Sequence, residues 1–431
     1  MTTTTTTDTI ATPESPAAAA GPRAISARDR WLVLLAAFLG WMFDGLEMGI
    51  FPLVARPALS DLLNTGDSGL IGWWHGVIDA CFLVGAALGG LVFGWLGDRI
   101  GRVRAMSLSI LVYSLFTGFC YFAQSPWQIG ALRFISAIGM GGEWALGVAL
   151  VMEVWPERRR PMLAGAIGAA SNVGFLTIAV AGWVWPVTVT SWRWVMLAGA
   201  LPALLTFFIR MWVPESHRWQ ESVKTGPSRP LREVFSPSMI RTTLLAILFA
   251  SIALIGTWGS VQKIPAWVGG FPGAAENPSW KAQAQIMSAF GAIVGCLIAP
   301  LVGARLGRRP AYFGLCLLSL LTCGVLFRRF DTFNVTFLLM VGLAGGVTAA
   351  FYGWLPLYLP ELFPTRVRAT GQGIAYNFGR VAAAAGALAG SQLVAYWGDY
   401  GRMGAAVSLV YILGLFVIWL APETKGRPLP E

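Results

Sequence analysis

The sequence predicts an all-α integral membrane protein whose twelve transmembrane helices form two related six-helix bundles. Three observations carry that expectation: an apolar composition, twelve apolar runs of spanning length, and motifs of the first half that recur in the second. Of 431 residues, 56% are apolar and 12% charged, about half the charged share of an ordinary soluble domain, and the mean hydropathy is +0.63. The 51 Gly and 20 Trp suit helices that pack closely in lipid and rings that sit at the headgroup level.

A helix needs about 20 apolar residues to cross the hydrocarbon. Twelve runs qualify, at 31–53, 71–96, 105–122, 129–151, 162–185, 194–213, 242–262, 283–303, 310–327, 333–356, 371–396 and 404–421. Residues 1–30, a Thr run followed by Ala and Pro, have no apolar core flanked by positive charge and read as a disordered cytoplasmic tail, not a signal peptide. The first bundle then covers 31–213 and the second 242–421, with a short cytoplasmic tail at 422–431. Between the bundles, residues 214–241 carry Pro214, Pro227, Pro230, Pro237 and mixed charge, and read as a cytoplasmic linker.

The net charge of +10 comes from short basic clusters between apolar runs, not from a stripe or tail, which argues for topology and against nucleic acid. With the N-terminus inside, 21 of the 31 Lys and Arg fall in cytoplasmic segments, 7 in external ones, and 3 (Arg133, Arg210, Arg380) within spans. The positive-inside rule therefore places both termini in the cytoplasm and the chain in the inner or plasma membrane. The five cysteines (Cys81, Cys120, Cys296, Cys316, Cys323) lie inside apolar runs without metal-ligand spacing, so neither a disulfide framework, a metal nor a cofactor is expected. Two histidines and no loop long enough for a catalytic domain argue against an enzyme, and the lack of a large soluble output domain argues against a sensor.

Three stretches repeat about 205 to 208 residues apart. Pro214-Glu215-Ser216 matches Pro422-Glu423-Thr424. Glu153-Val154-Trp155-Pro156 with Arg158 and Arg160 matches Glu361-Leu362-Phe363-Pro364 with Arg366 and Arg368. Gly168, Asn172 and Gly174 match Gly373, Asn377 and Gly379.

The loop after the second span contains Gly94, Asp98, Arg99, Gly101 and Arg102, and it resembles the G-x-x-x-D-R-x-G-R-[RK] signature of the major facilitator superfamily. Its second copy keeps Arg305, Gly307, Arg308 and Arg309 but has Ala304 in place of the acid and Pro300 in place of the first glycine. The resemblance covers residues 30–426 and implies two bundles rocking about a midplane site. Physically, Asp98, Arg99 and Arg102 could pair with the loops at Glu153, Arg158, Glu361, Arg366 and Arg368 and hold an inward gate shut; alternatively the arginines serve topology alone.

A charge at mid-bilayer costs about 2.5 kcal/mol or more, so each is a functional candidate. Asp44 and Glu47, at i and i+3 on the first span, share a face, and two neighbouring carboxylates suit a proton carrier; the alternative is helix-end acids paired with loop cations. His75 and Asp79, at i and i+4, form either a proton relay or an interfacial pair beside Trp73 and Trp74. Arg133 and Glu143 of the fourth span serve either coupling or a structural ion pair. Arg380, about 14 Å into the eleventh span at 1.5 Å per residue, has no acid of the second half beside it; it would meet a substrate carboxylate or an acid of the first half.

Three of these segments resemble family motifs. Asp44-Gly45-Leu46-Glu47 resembles the D-G-[FY]-D motif of proton-linked organic acid permeases, the Gly141-Gly142-Glu143 ending recurs in that branch, and Tyr376-Asn377-Phe378-Gly379-Arg380 resembles the Y-N-x-G-R segment of metabolite:proton symporters. The resemblance implies a monomeric, proton-coupled importer of a small organic anion in the lipid bilayer, with Arg380, Asn377, Gln372 and Tyr376 on the substrate and Asp44, Glu47, Asp79, Glu143 and Arg133 handling the proton, which is the sole coupling partner. The rival expectations are a sugar or polyol facilitator and a drug exporter.

Overall fold

The computed structural model describes residues 26–431 except 186, 225–228, 275, 278 and 398, together with all side chains in that range other than those of 68, 69, 206, 207, 210, 386–392 and 395. The expected tail up to residue 25, Pro227 and the Arg210 side chain lie outside the described residues.

Helix follows helix. α1 (Ala27–Leu63) starts inside the expected tail because Ser26 and Asp29 form a reciprocal cap: Asp29 N donates to Ser26 Oγ at 3.1 Å and Ser26 N donates to Asp29 Oδ2 at 3.2 Å. Only Gly101, at φ 106°, separates α2 (Ser68–Ile100) from α3 (Arg102–Phe119), and the missing Cβ is what permits that turn. α4 (Pro126–Val154) and α5 (Arg160–Val184) follow, and the sixth expected span divides into α6 (Trp192–Ala198) and α7 (Ala203–Trp212). The segment between the bundles forms α8 (His217–Lys224) and α9 (Pro230–Val234).

The second bundle begins with α10 (Ile240–Gly259) and the short α11 (Ile264–Val268). Gly307, at φ 110°, separates α12 (Ser279–Leu306) from α13 (Arg308–Arg329) just as Gly101 separates α2 from α3. α14 (Val335–Ala349) and α15 (Phe351–Leu362) make up the tenth span, and α16 (Arg368–Trp397), α17 (Tyr400–Val407) and α18 (Val410–Val417) complete the bundle. Among the described residues, ten helical segments are long and apolar enough to cross a membrane; the other two expected spans fall on the shorter apolar stretch Trp192–Leu205 and on α16.

Within the bundles α2 packs on α4, α1 on α5, α10 on α16 and α12 on α14, while α5–α12 and α2–α16 join the halves. The first joint is tight because a Cβ on Gly165 of α5 would come within 3.1 Å of the Cys296 and Leu297 backbone of α12, and at the second a Cβ on Gly90 would overlap the Asn377 amide.

The duplicated motifs meet in space. Glu215 Oε1 accepts from Arg102 N at 3.0 Å and Oε2 from Val103 N at 3.1 Å, capping α3. Glu423 caps α13 in the same way, from Arg308 N at 3.0 Å and Arg309 N at 3.1 Å. A carboxylate at two free N–H groups of a helix start offsets both the unpaired donors and the helix dipole. The segment between the bundles therefore does more than connect: besides the Glu215 cap, Trp219 Nε1 donates to Asp98 O at 2.9 Å. The final residues are also seated, with Leu429 3% exposed and Pro430 O accepting from Arg368 Nη2 at 2.8 Å.

Candidate functional site

The buried charges of α1 and α4 sort into two groups, and the grouping differs from the expected one. Asp44 and Glu143 are 0% and 1% exposed, and among the described residues no N–H or hydroxyl donates to any of their four carboxyl oxygens. They interact with each other. A proton between them would supply a hydrogen bond and leave one negative charge; without it the site holds two unpaired buried anions. Gly40, one turn before Asp44 on α1, makes room for this pair, because a Cβ there would overlap Glu143 Oε1.

Glu47, expected to share its proton with Asp44, is engaged elsewhere. Its Oε1 accepts from Arg133 Nη1 at 3.0 Å and from Thr117 Oγ1 at 2.8 Å, with Ser136 Oγ at 3.3 Å. The Arg133 guanidinium lies between rings, 4.5 Å from Phe51 and 4.4 Å from Phe82. Arg133 cannot reach Glu143, since ten residues of α4 set them about 15 Å apart along the axis. Breaking a buried ion pair from one side costs about 3–5 kcal/mol, so Glu47→Gln is expected to melt well below the wild type in detergent. An unchanged melting temperature would contradict this pairing.

Asp79 is not a buried carrier: its carboxyl is 54% exposed and lies 3.4 Å from His75 Nε2, whose ring meets Phe51 edge-on at 5.4 Å. The two residues form a partly wet pair at the opposite end of α2 from Asp98.

Arg380 lies at the wall of a narrow central cavity of about 50 Å³, which Trp41, Asn172, Phe175, Trp258, Gln262, Tyr352 and Tyr376 also line. That volume is room for a few waters. Its Nη1 donates to Asn377 Oδ1 at 3.2 Å, and Asn377 Nδ2 donates to Gly141 O of α4 at 2.8 Å and to Gly373 O at 2.9 Å. Asn377 thus ties α16 to the first bundle while orienting Arg380. The guanidinium stands 5.1 Å from the Tyr376 ring and 5.9 Å from Trp41. Among the described residues no carboxylate is in ion-pair contact with it, and its positive field reaches Asp44. Tyr376 stacks on Trp144 at 4.2 Å and meets Trp41 edge-on at 6.1 Å, so Trp144, the neighbour of Glu143 in the chain, joins the two rings that line the cavity. Gln372 is fully buried, and among the described residues neither of its amide atoms has a hydrogen-bond partner.

Where α2 turns into α3, a polar network joins the bundles. Asp98 Oδ2 accepts from Thr370 N at 2.8 Å and Thr370 Oγ1 at 2.6 Å, Oδ1 accepts from Ala369 N at 3.3 Å, and Arg102 Nη1 lies 2.8 Å away. Glu153 Oε1 accepts from Arg102 Nη2 at 3.1 Å and from Arg368 Nη1 at 2.9 Å, while Arg102 Nη2 also donates to Thr365 O at 2.7 Å. Asp98 of one bundle therefore caps α16 of the other.

The family model described as Major Facilitator Superfamily matches residues 31–304, more than half of the chain, and one described as Sugar (and other) transporter matches residues 334–431. This chain belongs to the major facilitator superfamily. It is 32% identical over 401 residues to a protein of Cupriavidus pinatubonensis described as a probable 4-methylmuconolactone transporter, covering 91% of this chain and 90% of that one. It is 28% identical over 366 residues to a cis,cis-muconate transport protein of Acinetobacter baylyi, covering 82% and 85%. Its fold matches the solved proton:xylose symporter XylE with 6-bromo-6-deoxy-D-glucose bound, at a TM-score of 0.75 and 18% identity over 93% of this chain and 97% of that one. The protein is a multi-pass membrane transporter, not an enzyme, and among the described residues no cluster of side chains could hold a metal.

Within this superfamily member, several expected members of the interbundle network lie outside it. Arg99 is exposed and stacks 5.0 Å over Trp95, Arg158 is exposed, and Arg366 pairs with Glu233 of the connecting segment at 2.6 Å. Glu361 stays within its own bundle, paired with Arg308 at 2.6 Å. The network is one-sided for two matched reasons: Ala304 lacks the carboxylate of Asp98, and Pro161, which corresponds to Ala369, lacks the N–H that would donate to it. At Gly94 a Cβ would come within 2.9 Å of Ala369 O.

Asp98→Ala removes the acceptor of three interbundle hydrogen bonds, each worth about 0.5–1.5 kcal/mol. A cysteine placed at buried Ala369, in a chain without the half-buried Cys81, is expected to react with an impermeant thiol reagent about tenfold or more faster when Asp98 is replaced. Equal labelling rates would mean the network does not hold the bundles together.

Proposed function

We propose that the protein is a proton-coupled symporter that imports a small organic anion, a carboxylate or acidic sugar, across the inner membrane by alternating access. It works as a monomer, with both termini in the cytoplasm and the proton as its sole coupling partner. The carrying observation is the pairing of opposites at the bundle interface: among the described residues, two buried acids without donors and an arginine without an ion-paired acid, within electrostatic reach of each other.

In the proposed cycle one proton loads the Asp44–Glu143 pair while the substrate anion binds the Arg380 fork, held by Asn377 with Tyr376 beside it. The two added charges cancel, so the loaded carrier crosses the bilayer interior without a new net charge. The Asp98 network, cytoplasmic by the positive-inside rule, is the inner gate that must part before release. Glu47 and Arg133 brace α1 against α4, and His75 with Asp79 stands at the outer mouth. Relatives named as transporters of 4-methylmuconolactone and of cis,cis-muconate support an organic acid as the cargo. A neutral-sugar reading draws on the Sugar (and other) transporter match and on the amides Asn172 and Gln262 at the cavity.

Uptake of radiolabelled organic acids and neutral sugars into proteoliposomes, with and without an inward proton gradient, separates the two. The proposal expects acid uptake that the gradient drives and no sugar uptake. Sugar uptake indifferent to the gradient would overturn it.

A further inference from the structure

On the outer side of the second bundle, α12, α13 and α14 enclose a groove of about 580 Å³, lined entirely by apolar residues and glycine. That volume lies within the 300–1,000 Å³ of small-molecule sites. The groove exists because α12 and α14 meet backbone to backbone, Gly291 against Gly342 O and Gly295 against Gly346 O, while α13 stands away from them. On α13, Gly314 faces open space, with nothing within 4 Å of where its Cβ would be. The groove runs from Met287 and Leu339 down to Leu306 and Pro310.

At that lower mouth the chemistry changes. Arg305 precedes Leu306 and is exposed, Arg309 adjoins Pro310, and Lys425 Nζ donates to Arg305 O at 2.7 Å. Among the described residues none of the three makes an ion pair with a carboxylate. The acid here, Glu423, is engaged by the backbone N–H groups of Arg308, Arg309, Thr424 and Lys425. The apolar groove therefore ends beside three cations close to where α12 ends: Arg305, Lys425 and Arg309, whose Nε donates to Ala421 O at 2.6 Å. One molecular shape has both parts.

We propose that the groove holds an acyl chain of an anionic phospholipid whose phosphate sits among Arg305, Arg309 and Lys425. A second copy of the chain fits less well. A two-fold contact through this face would put two like-charged clusters and two concave grooves into one interface. A bound lipid would brace α12, the helix that also contacts α5 across the bundle interface.

The test is native mass spectrometry of the full-length protein in detergent, titrated with phosphatidylglycerol or phosphatidylcholine of identical acyl chains. The wild type is expected to retain phosphatidylglycerol preferentially. The double variant Arg305→Gln, Lys425→Gln should lose about fivefold of that preference per cation removed, the equivalent of about 1 kcal/mol each near an anionic lipid surface. Gly314→Leu, which puts a side chain into the groove from a position where a Cβ meets nothing within 4 Å, should lose both lipids while its lipid-free melting temperature stays at the wild-type value. Should Gly314→Leu fold poorly, the charge variant alone decides, since its substitutions lie on the surface. Equal retention of the two lipids by the wild type overturns the proposal, as does displacement of phosphatidylglycerol by millimolar inorganic phosphate, which would mark a soluble-anion site. A dimer mass that Gly314→Leu abolishes would hand the groove to a second copy.

Discussion

Asp44→Asn is expected to abolish proton-driven accumulation while leaving exchange of substrate across the membrane intact. With one proton per monovalent anion, each pH unit of gradient can support about a tenfold accumulation, equivalent to 1.36 kcal/mol. An amide in place of the carboxyl cannot take up or release that proton, yet it can still bond to Glu143, so the variant keeps the pair's packing and loses its titration. The accumulation ratio should fall to about one at any gradient, whereas counterflow of labelled against unlabelled anion should continue, because exchange does not require the proton to leave. Glu143→Gln should behave in the same way, and the double variant should be no worse than either single one. Independent, additive losses would mean that the two acids do not act as one site. The contrast is Glu47→Gln, whose defect should appear in melting temperature and not in the coupling ratio.

Arg380→Ala is expected to lower the uptake efficiency for the organic anion by about a hundredfold or more. A guanidinium makes charge-assisted hydrogen bonds worth about 1.5–3 kcal/mol each to a carboxylate, and a fork makes two. Arg380→Lys keeps the charge but not the fork, so it should recover part of the loss and no more. Asn377→Ala frees the guanidinium from its anchor at 3.2 Å and should reproduce a fraction of the Arg380 defect, chiefly as weaker substrate binding. An Arg380→Ala protein that takes up acid at the wild-type rate would remove the substrate site from α16.

The sequence carried the scaffold because the scaffold depends on composition and repetition. Apolar run length, basic loops and the paired Pro-Glu-Ser and Pro-Glu-Thr segments are all local properties of the chain. That Glu215 and Glu423 cap α3 and α13 was not readable, since each cap joins segments more than a hundred residues apart, although both partners stood in the repeats. Buried charges were legible as a set for the same reason: a carboxylate inside an apolar run stands out against its neighbours. Their partners were not legible. Asp44 and Glu47 share a side of α1, yet the rotation of α4 brings Glu143 to one and Arg133 to the other. Gly40 was the local signal for the first pairing, a residue without a side chain one turn from an acid. The aromatic layer of Trp41, Trp144 and Tyr376 was hidden because aromatic residues are common throughout a membrane protein and nothing marks the three that stack. The one-sided gate could have been anticipated in part, as Ala304 announces the missing acid; Pro161, the missing donor, shows its meaning only once it is aligned with Ala369.

Simultaneous recording of proton and anion flux into proteoliposomes tests the central claim most directly. With a pH-sensitive dye inside and no imposed gradient, addition of a transported organic anion outside should acidify the lumen in step with anion entry, one proton per anion, and Asp44→Asn should carry no protons. Anion entry with no accompanying proton flux in the wild type would contradict the account.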